Sequence, residues 1–160
     1  PYMTRRTLYI LLAAGGSAAL MLAALGFQHL GGMAPCELCI WQRWPHVIAI
    51  GIGGLALILH AGWLAWAGAL AALGTAGIGF YHTGVERGWW QGPSTCTATD
   101  ATGLSTDDLF DQIMNAPLVR CDEVPWEMLG LSMASWNTVA ALALAGLWVM
   151  AARQTGQHAA

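Results

Sequence analysis

The chain has 160 residues, of which 56% are apolar and only 9% are charged. Soluble domains carry about 25% charged residues, so this composition argues against a soluble globular protein. It also argues against a disordered chain, which would be poor in large apolar residues. The formal net charge is −3 and no basic cluster exceeds two residues, which disfavours nucleic-acid binding.

Segments without Asp, Glu, Lys or Arg predict where the chain crosses a membrane. They cover residues 7–36, 44–85 and 128–152, and a transmembrane helix needs about 20 apolar residues. The first and third segments hold one span each, whereas the second divides at residues 60–62 into two. We therefore predict an all-α bundle of four transmembrane helices in a single membrane domain over residues 1–160, with spans at about 7–28, 41–60, 63–83 and 134–152.

An even number of spans places both termini on one side of the membrane. The two longer loops, about 29–46 (the first loop) and about 84–135 (the long loop), then share the other side. All nine acidic residues fall on the loop side. Three arginines lie on each side: Arg43, Arg87 and Arg120 on the loop side, and Arg5, Arg6 and Arg153 on the terminal side. Because the terminal arginines lie in very short flanks, where arginine favours the cytoplasm, we expect cytoplasmic termini.

All four cysteines lie in these loops and therefore on the same side of the membrane. Cys36 and Cys39 belong to the first loop, and Cys96 and Cys121 to the long loop. A Cys-x-x-Cys pair closes too small a ring to restrict the unfolded chain, and its spacing is typical of thiol–disulfide exchange. Two inert disulfides and a four-cysteine zinc site are the alternatives, although only one pair has metal-ligand spacing.

The residues that follow the first pair favour a reactive sulfur. If the second span is already helical at Cys39, the helix dipole favours a thiolate there, and Arg43 lies on the same face one turn later. Pro45 suits the first turn of a helix and would kink a helix that began at Cys39. Arg43 is also compatible with a simple interfacial arginine whose head reaches the membrane surface.

The long loop contains a predicted amphipathic helix. Ser105 is a candidate N-cap, acidic residues occupy the first turn, and Pro117 is expected to end the helix. An apolar stripe predicts that the helix lies flat on the membrane surface, and it consists of Leu109, Phe110, Ile113 and Met114. Among the histidines, His46 and His82 lie near the loop-side ends of spans and are candidates for a proton-accepting site.

Taken together, these motifs resemble the disulfide bond formation protein B (DsbB) family over nearly the whole chain. The resemblance rests on the four spans, the long-loop pair Cys96 and Cys121, and four motifs: Pro35-Cys36-x-x-Cys39 with Gln42-Arg43, Tyr81-His82-x-Gly84-Val85-Glu86, Trp89-Trp90-x-Gly92-Pro93, and Trp126-x-x-Leu129-Gly130-Leu131-x-Met133-x-x-Trp136.

Membership of this family implies an enzyme of the bacterial inner membrane with periplasmic cysteine loops. Such an enzyme reoxidises a periplasmic thioredoxin-fold dithiol oxidase, DsbA-like, and passes the electrons to membrane quinone, either ubiquinone or menaquinone.

The resemblance also implies the roles of the site residues. All four cysteines are redox-active: Cys96 reacts with the partner, and Cys121 then attacks Cys36. Cys39 and Arg43 form the quinone site, where the Cys39 sulfur makes a charge-transfer complex with the quinone ring. His82 is a weaker candidate for the same pocket.

Two other classes of protein remain open at this point. A vitamin K epoxide reductase-like enzyme also has four helices and loop cysteines, but its Cys-x-x-Cys normally follows the loop pair in the chain. A non-enzymatic membrane scaffold stapled by two disulfides has no use for Arg43 beside a Cys-x-x-Cys. Reduction of quinone by the purified protein separates the scaffold from both enzymes.

Overall fold

The computed structural model describes residues 3–97, 103–115 and 119–154. Within these ranges the chain forms helices α1 (Arg5–His29), α2 (Glu37–Leu59), α3 (Gly62–Glu86), α4 (Thr106–Met114) and α5 (Met133–Gln154), and strands β1 (Glu127–Met128) and β2 (Leu131–Ser132). Four of the helices, α1, α2, α3 and α5, are long and apolar enough to cross a membrane. The predicted four-span, all-α bundle is therefore confirmed.

The second span begins earlier than predicted, at Glu37 instead of near residue 41. Cys36 is its N-cap, and the Cys36 sulfur accepts a hydrogen bond from the backbone N–H of Cys39 at 3.2 Å. This contact satisfies one of the N–H groups that every helix start leaves without a helical partner. The first loop is consequently residues 30–36, and the predicted bounds of 29–46 were too wide.

Pro45 lies inside α2 and does not end it. A proline in a helix removes one backbone hydrogen bond and displaces the preceding turn. The hydroxyl of Thr75 in α3 donates to the carbonyl of Gln42 at 2.8 Å, in the turn before Pro45. The carbonyl that the missing N–H of Pro45 leaves without a helical partner is that of Trp41, four residues earlier, so the Thr75 hydroxyl binds the carbonyl next to it.

Small residues bring the spanning helices close together. Trp148 of α5 is completely buried in the core and packs on Gly68 of α3. A Cβ atom at Gly68 would lie 2.4 Å from the Trp148 ring, and one at Gly53 would lie 2.4 Å from the Cβ of Ala14. Glycine is therefore required at both positions, as expected where membrane helices pack closely.

In the long loop, α4 begins as predicted. Ser105 is the N-cap and accepts a hydrogen bond from the N–H of Asp108 at 3.2 Å. Phe110, Ile113 and Met114 are 63–68% exposed, so the apolar stripe faces away from the rest of the described protein. Whether this face contacts lipid stays a prediction, and Pro117 lies outside the described residues.

A short hairpin follows and leads directly into α5. It pairs Glu127 with Ser132 and Met128 with Leu131. The two turn residues, Leu129 and Gly130, have φ values of 54° and 75°, as the tight turns of two-residue hairpins require. The sequence pattern does not predict this hairpin.

Candidate functional site

The two cysteine pairs meet in one buried cluster at the loop-side end of the bundle. Cys96 and Cys121 form a disulfide, whereas Cys36 and Cys39 are free thiols. Cys36, Cys96 and Cys121 are each at most 4% exposed and pack with Leu38 and Val85. The fold therefore brings together residues that lie up to 85 positions apart in the sequence (121 − 36 = 85).

Within the Cys-x-x-Cys pair, the two sulfurs have different surroundings. The Cys36 thiol donates to the Cys39 sulfur at 2.7 Å. This hydrogen bond, together with burial, raises the pKa of Cys36 above its ordinary value. Cys39 lies in the first turn of α2, where the partial positive charge of the helix N-terminus favours an anion. Cys36 thus keeps its proton, and Cys39 is the sulfur placed to carry negative charge.

Arg43 lies one turn after Cys39 on α2, and both residues line the same cavity. Its Nη1 atom donates to the side-chain oxygen of Gln28 in α1 at 2.6 Å, which fixes the guanidinium in place. A guanidinium has five N–H donors in a planar fork, so this contact leaves it able to bind a further acceptor.

The cavity lies between the four spanning helices and has a volume of about 330 Å³. The polar side chains that line it include those of Cys36, Cys39, Arg43, His82 and Glu86, together with Gln42, His46, Arg120, Glu123 and Asn137. The remaining surface is mostly apolar, with contributions from Leu20, Met21, Ala24, Phe27, Trp126, Met133, Trp136 and Ala140. A concave, mostly apolar pocket of a few hundred Å³ with a few polar groups is typical of a small-molecule site.

His82 lies between the two cysteine pairs. Its Nε2 atom is 3.1 Å from the carbonyl oxygen of Cys121 and 3.7 Å from the sulfur of Cys36. Because a carbonyl only accepts, Nε2 carries the hydrogen, and Nδ1 accepts from the Gln42 side-chain amide at 2.9 Å. The position near the end of the third span agrees with the sequence, but the direct contacts with Cys36 and Cys121 were not predicted.

A second buried histidine, His46, lies deeper in the bundle. Its Nε2 donates to the Asn137 side-chain oxygen at 2.9 Å, and its Nδ1 accepts from the Ser17 hydroxyl at 3.1 Å. Asn137 in turn donates to the Gln42 side-chain oxygen at 2.9 Å. A continuous polar network therefore connects His46 to His82 through three helices.

Sequence reasoning missed Asn137 and Ser17, although each is a polar residue inside an apolar segment. Polar residues within a span almost always face the bundle interior and pair with one another. That signal was present, but the partners depend on how each helix is rotated, and the sequence pattern does not fix the rotation.

The long-loop disulfide is buried, and Cys96 is only 2% exposed. The disulfide packs on Val85 and Leu38, and Thr95 donates to the carboxylate of Glu37 at 2.5 Å beside it. A partner that attacks Cys96 has to displace part of this segment first.

Comparisons with known proteins agree with this geometry. A family model described as "Disulfide bond formation protein DsbB" matches residues 5–151. Three relatives named "Disulfide bond formation protein B" are similar to the chain. The protein from Dechloromonas aromatica is 33% identical and covers 78% of each chain. The protein from Verminephrobacter eiseniae is 32% identical, and the match covers 89% of this chain and 82% of the relative. The protein from Methylococcus capsulatus is 35% identical, and the match covers 79% of this chain and 82% of the relative. The chain therefore belongs to the disulfide bond formation protein B family and is a multi-pass membrane oxidoreductase of disulfide-bond formation.

Proposed function

We propose that this protein reoxidises a periplasmic thioredoxin-fold dithiol oxidase, DsbA-like, and passes the electrons to ubiquinone or menaquinone in the bacterial inner membrane. The observation that carries the proposal is the meeting of two cysteine pairs beside one largely apolar cavity. One pair belongs to a loop that a soluble protein can approach, and the other belongs to the end of a spanning helix. This arrangement suits the transfer of electrons from a water-soluble protein to a lipid-soluble quinone.

Redox energetics explain why an external oxidant is needed. A strongly oxidising partner has a potential of about −120 mV, whereas structural disulfides lie below about −300 mV. Oxidising that partner with an ordinary disulfide would therefore be uphill by about 180 mV, or about 8 kcal/mol. A quinone dissolved in the bilayer can act as the external oxidant, because it accepts the two electrons and two protons that a dithiol releases.

The residues that line the cavity fit a quinone ring. Arg43 offers N–H donors that stay charged at any physiological pH, and it is placed to stabilise negative charge on an oxygen of the ring. Cys39 lines the same cavity as the sulfur nearest to Arg43 along α2. Apolar side chains from α1 and α5 would cover the ring faces. His82 lines the cavity beside Cys36 and is a secondary candidate for the same role.

Electron transfer within the protein is a chain of thiol–disulfide exchanges. It starts from disulfides in both pairs. A thiolate of the partner attacks Cys96, which breaks the Cys96–Cys121 bond and frees the Cys121 thiolate. Cys121 then attacks Cys36, which breaks the Cys36–Cys39 bond and frees the Cys39 thiolate.

The second thiol of the partner resolves the mixed disulfide, and the partner leaves oxidised. Cys96 then attacks Cys121, which restores their disulfide and frees Cys36. The net result is one oxidised partner and one Cys36–Cys39 dithiol. The sequence of exchanges ends with a disulfide at Cys96–Cys121 and two thiols at Cys36 and Cys39, which the quinone then oxidises.

We further propose that the termini are cytoplasmic and the cysteine loops periplasmic. After reduction, a membrane-impermeant thiol reagent should label the cysteines in intact spheroplasts. Labelling in inside-out membrane vesicles, with none in spheroplasts, would reverse this orientation.

The function itself is tested by quinone consumption under anaerobic conditions. The purified full chain in detergent is mixed with a soluble quinone analogue, with and without a reduced thioredoxin-fold partner. Turnover that depends on the partner and is lost in Cys39→Ser supports the proposal. The absence of quinone consumption by the wild-type protein would contradict it.

A further inference from the structure

The strongest unassigned feature is the set of donor atoms around the free thiols. The sulfurs of Cys36 and Cys39 and a ring nitrogen of His82 all lie within 4.8 Å of one another. We propose that the reduced protein contains a binding site for a thiophilic divalent cation of the zinc class, held by Cys36, Cys39 and His82. The consequence for turnover, that the cation holds this pair reduced, rests on the proposed function, but the binding itself does not.

The distance between Cys36 and His82 matches tetrahedral coordination, whereas the distance between the two sulfurs has to increase. With Zn–S bonds of about 2.3 Å and Zn–N bonds of 2.0–2.1 Å, the sulfur and nitrogen of two ligands are about 3.6 Å apart. The observed separation of Cys36 Sγ and His82 Nε2 is 3.7 Å. The two sulfurs are 2.7 Å apart and have to separate to about 3.8 Å around a zinc ion.

Two of these ligands are held in place by helices, and a carboxyl group lies beside them. Cys36 is the N-cap of α2, and His82 lies near the end of α3, so both come from rigid elements. The His82 side chain is 3% exposed and that of Glu86 is 4% exposed, and a Glu86 oxygen lies 3.8 Å from His82 Nε2. When ionised, this carboxyl group offsets part of the positive charge that Arg43 and the N-terminus of α2 place near Cys39, and the two thiolates supply the rest of the negative charge that a cation needs. Ligand sets of sulfur and imidazole nitrogen are those that zinc prefers.

Binding balances without a redox step. Two thiols lose two protons and form two metal–sulfur bonds, so affinity rises with pH while the oxidation state stays unchanged. His82 must bind through Nε2, which at present donates to the carbonyl of Cys121. The hydrogen therefore moves to Nδ1, and the Gln42 side chain has to turn its oxygen towards it. A bound cation consequently releases the hydrogen bond between α3 and the long loop.

A bound cation would also prevent the proposed oxidation of Cys36 and Cys39. Both thiols become metal ligands, so neither can form a disulfide until the cation leaves. The oxidised pair offers no thiolate and does not bind. Metal affinity is thereby restricted to the dithiol state of the cycle.

Cobalt(II) provides a direct optical probe of this site. The full chain is purified in detergent, reduced under anaerobic conditions and titrated with Co²⁺, with neither quinone nor partner present. Absorption bands from thiolate-to-cobalt charge transfer and from tetrahedral Co²⁺ are expected at one equivalent, and Zn²⁺ should remove them. Full reduction also frees the thiols of the long-loop pair, so two double variants are needed to identify the cysteines that bind. The bands should persist in Cys96→Ser/Cys121→Ser and vanish in Cys36→Ser/Cys39→Ser.

The histidine is tested in the Cys96→Ser/Cys121→Ser background. His82→Gln keeps the size and hydrogen bonding of the side chain but removes the metal ligand, so Co²⁺ affinity should fall at least about tenfold. His82→Ala is a second variant, and His60→Ala, at the exposed turn before α3, is the matched control. Equal affinity in His82→Gln, His82→Ala and the control would overturn the proposal, as would bands that require Cys96 and Cys121.

These outcomes are independent of the redox function. If the protein reduces quinone but shows no cobalt bands, the proposed metal site is wrong and the proposed function stands. If it shows the bands but does not reduce quinone, the proposed function is wrong and the metal site stands.

Discussion

Replacement of Arg43 by alanine should weaken quinone reduction without affecting thiol exchange. Arg43 lines the cavity next to Cys39, and its guanidinium is fixed by a 2.6 Å hydrogen bond to Gln28. A hydrogen bond to a charged group contributes about 1.5–3 kcal/mol. At 1.36 kcal/mol per factor of ten, kcat/KM for quinone should fall about 10- to 150-fold. The kcat/KM of Arg43→Lys should lie between those of the wild-type protein and Arg43→Ala, because lysine keeps the positive charge and loses the planar fork of donors.

The assay follows the absorbance of a soluble quinone analogue while the reduced partner is kept in excess. A second readout, the formation of the mixed disulfide between the partner and Cys96, should be unchanged in both Arg43 variants. Arg87→Ala is the matched control, because this arginine lies at the end of α3 and donates to the carbonyl of Gly130 at 3.0 Å. Unchanged quinone kinetics in Arg43→Ala would make Arg43 a simple interfacial anchor and place the electron acceptor elsewhere.

Three further changes test the exchange order, the surface helix and the packing. Cys121→Ser should accumulate a mixed disulfide between Cys96 and the partner on non-reducing gels; trapping on a different cysteine would reverse the proposed order. Phe110→Asp should slow transfer between the two cysteine pairs because it removes an apolar anchor from α4, and an unchanged rate would make α4 an ordinary solvated segment. Gly68→Ala should cost about 1–3 kcal/mol of stability through overpacking, whereas Gly77→Ala, whose added Cβ meets nothing within 4 Å, should cost little; equal melting temperatures would contradict the packing described.

The sequence was sufficient to predict the four spans because hydropathy and the absence of charge are local properties. It misplaced the start of α2, since the helix is capped by Cys36, a residue type outside the usual N-cap preferences. The hydrogen-bonded start of α4 was predictable because Ser105 and the acids after it follow those preferences. Local sequence signals therefore predicted most of the fold and failed where a cysteine, Cys36, serves as a helix N-cap.

The candidate site was predictable in its chemistry but only partly in its geometry. The spacing of Cys36, Cys39 and Arg43 along one helix already placed them together. The contact of His82 with both cysteine pairs, and the burial of Cys96, depend on how the long loop folds back onto α3. Contacts between distant segments leave no periodic signal in the sequence, so only the structure shows them.

A single-turnover oxidation of Cys96→Ser/Cys121→Ser tests the central claim most directly. The reduced variant is mixed with one equivalent of quinone without oxygen, and the products are analysed for free thiols, disulfides and quinol. If Cys36 and Cys39 are the pair that quinone oxidises, one disulfide between them should form for each quinone consumed, and Cys36→Ser/Cys39→Ser should consume none. Quinone consumption by Cys36→Ser/Cys39→Ser, with none by the variant that retains Cys36 and Cys39, would contradict the account.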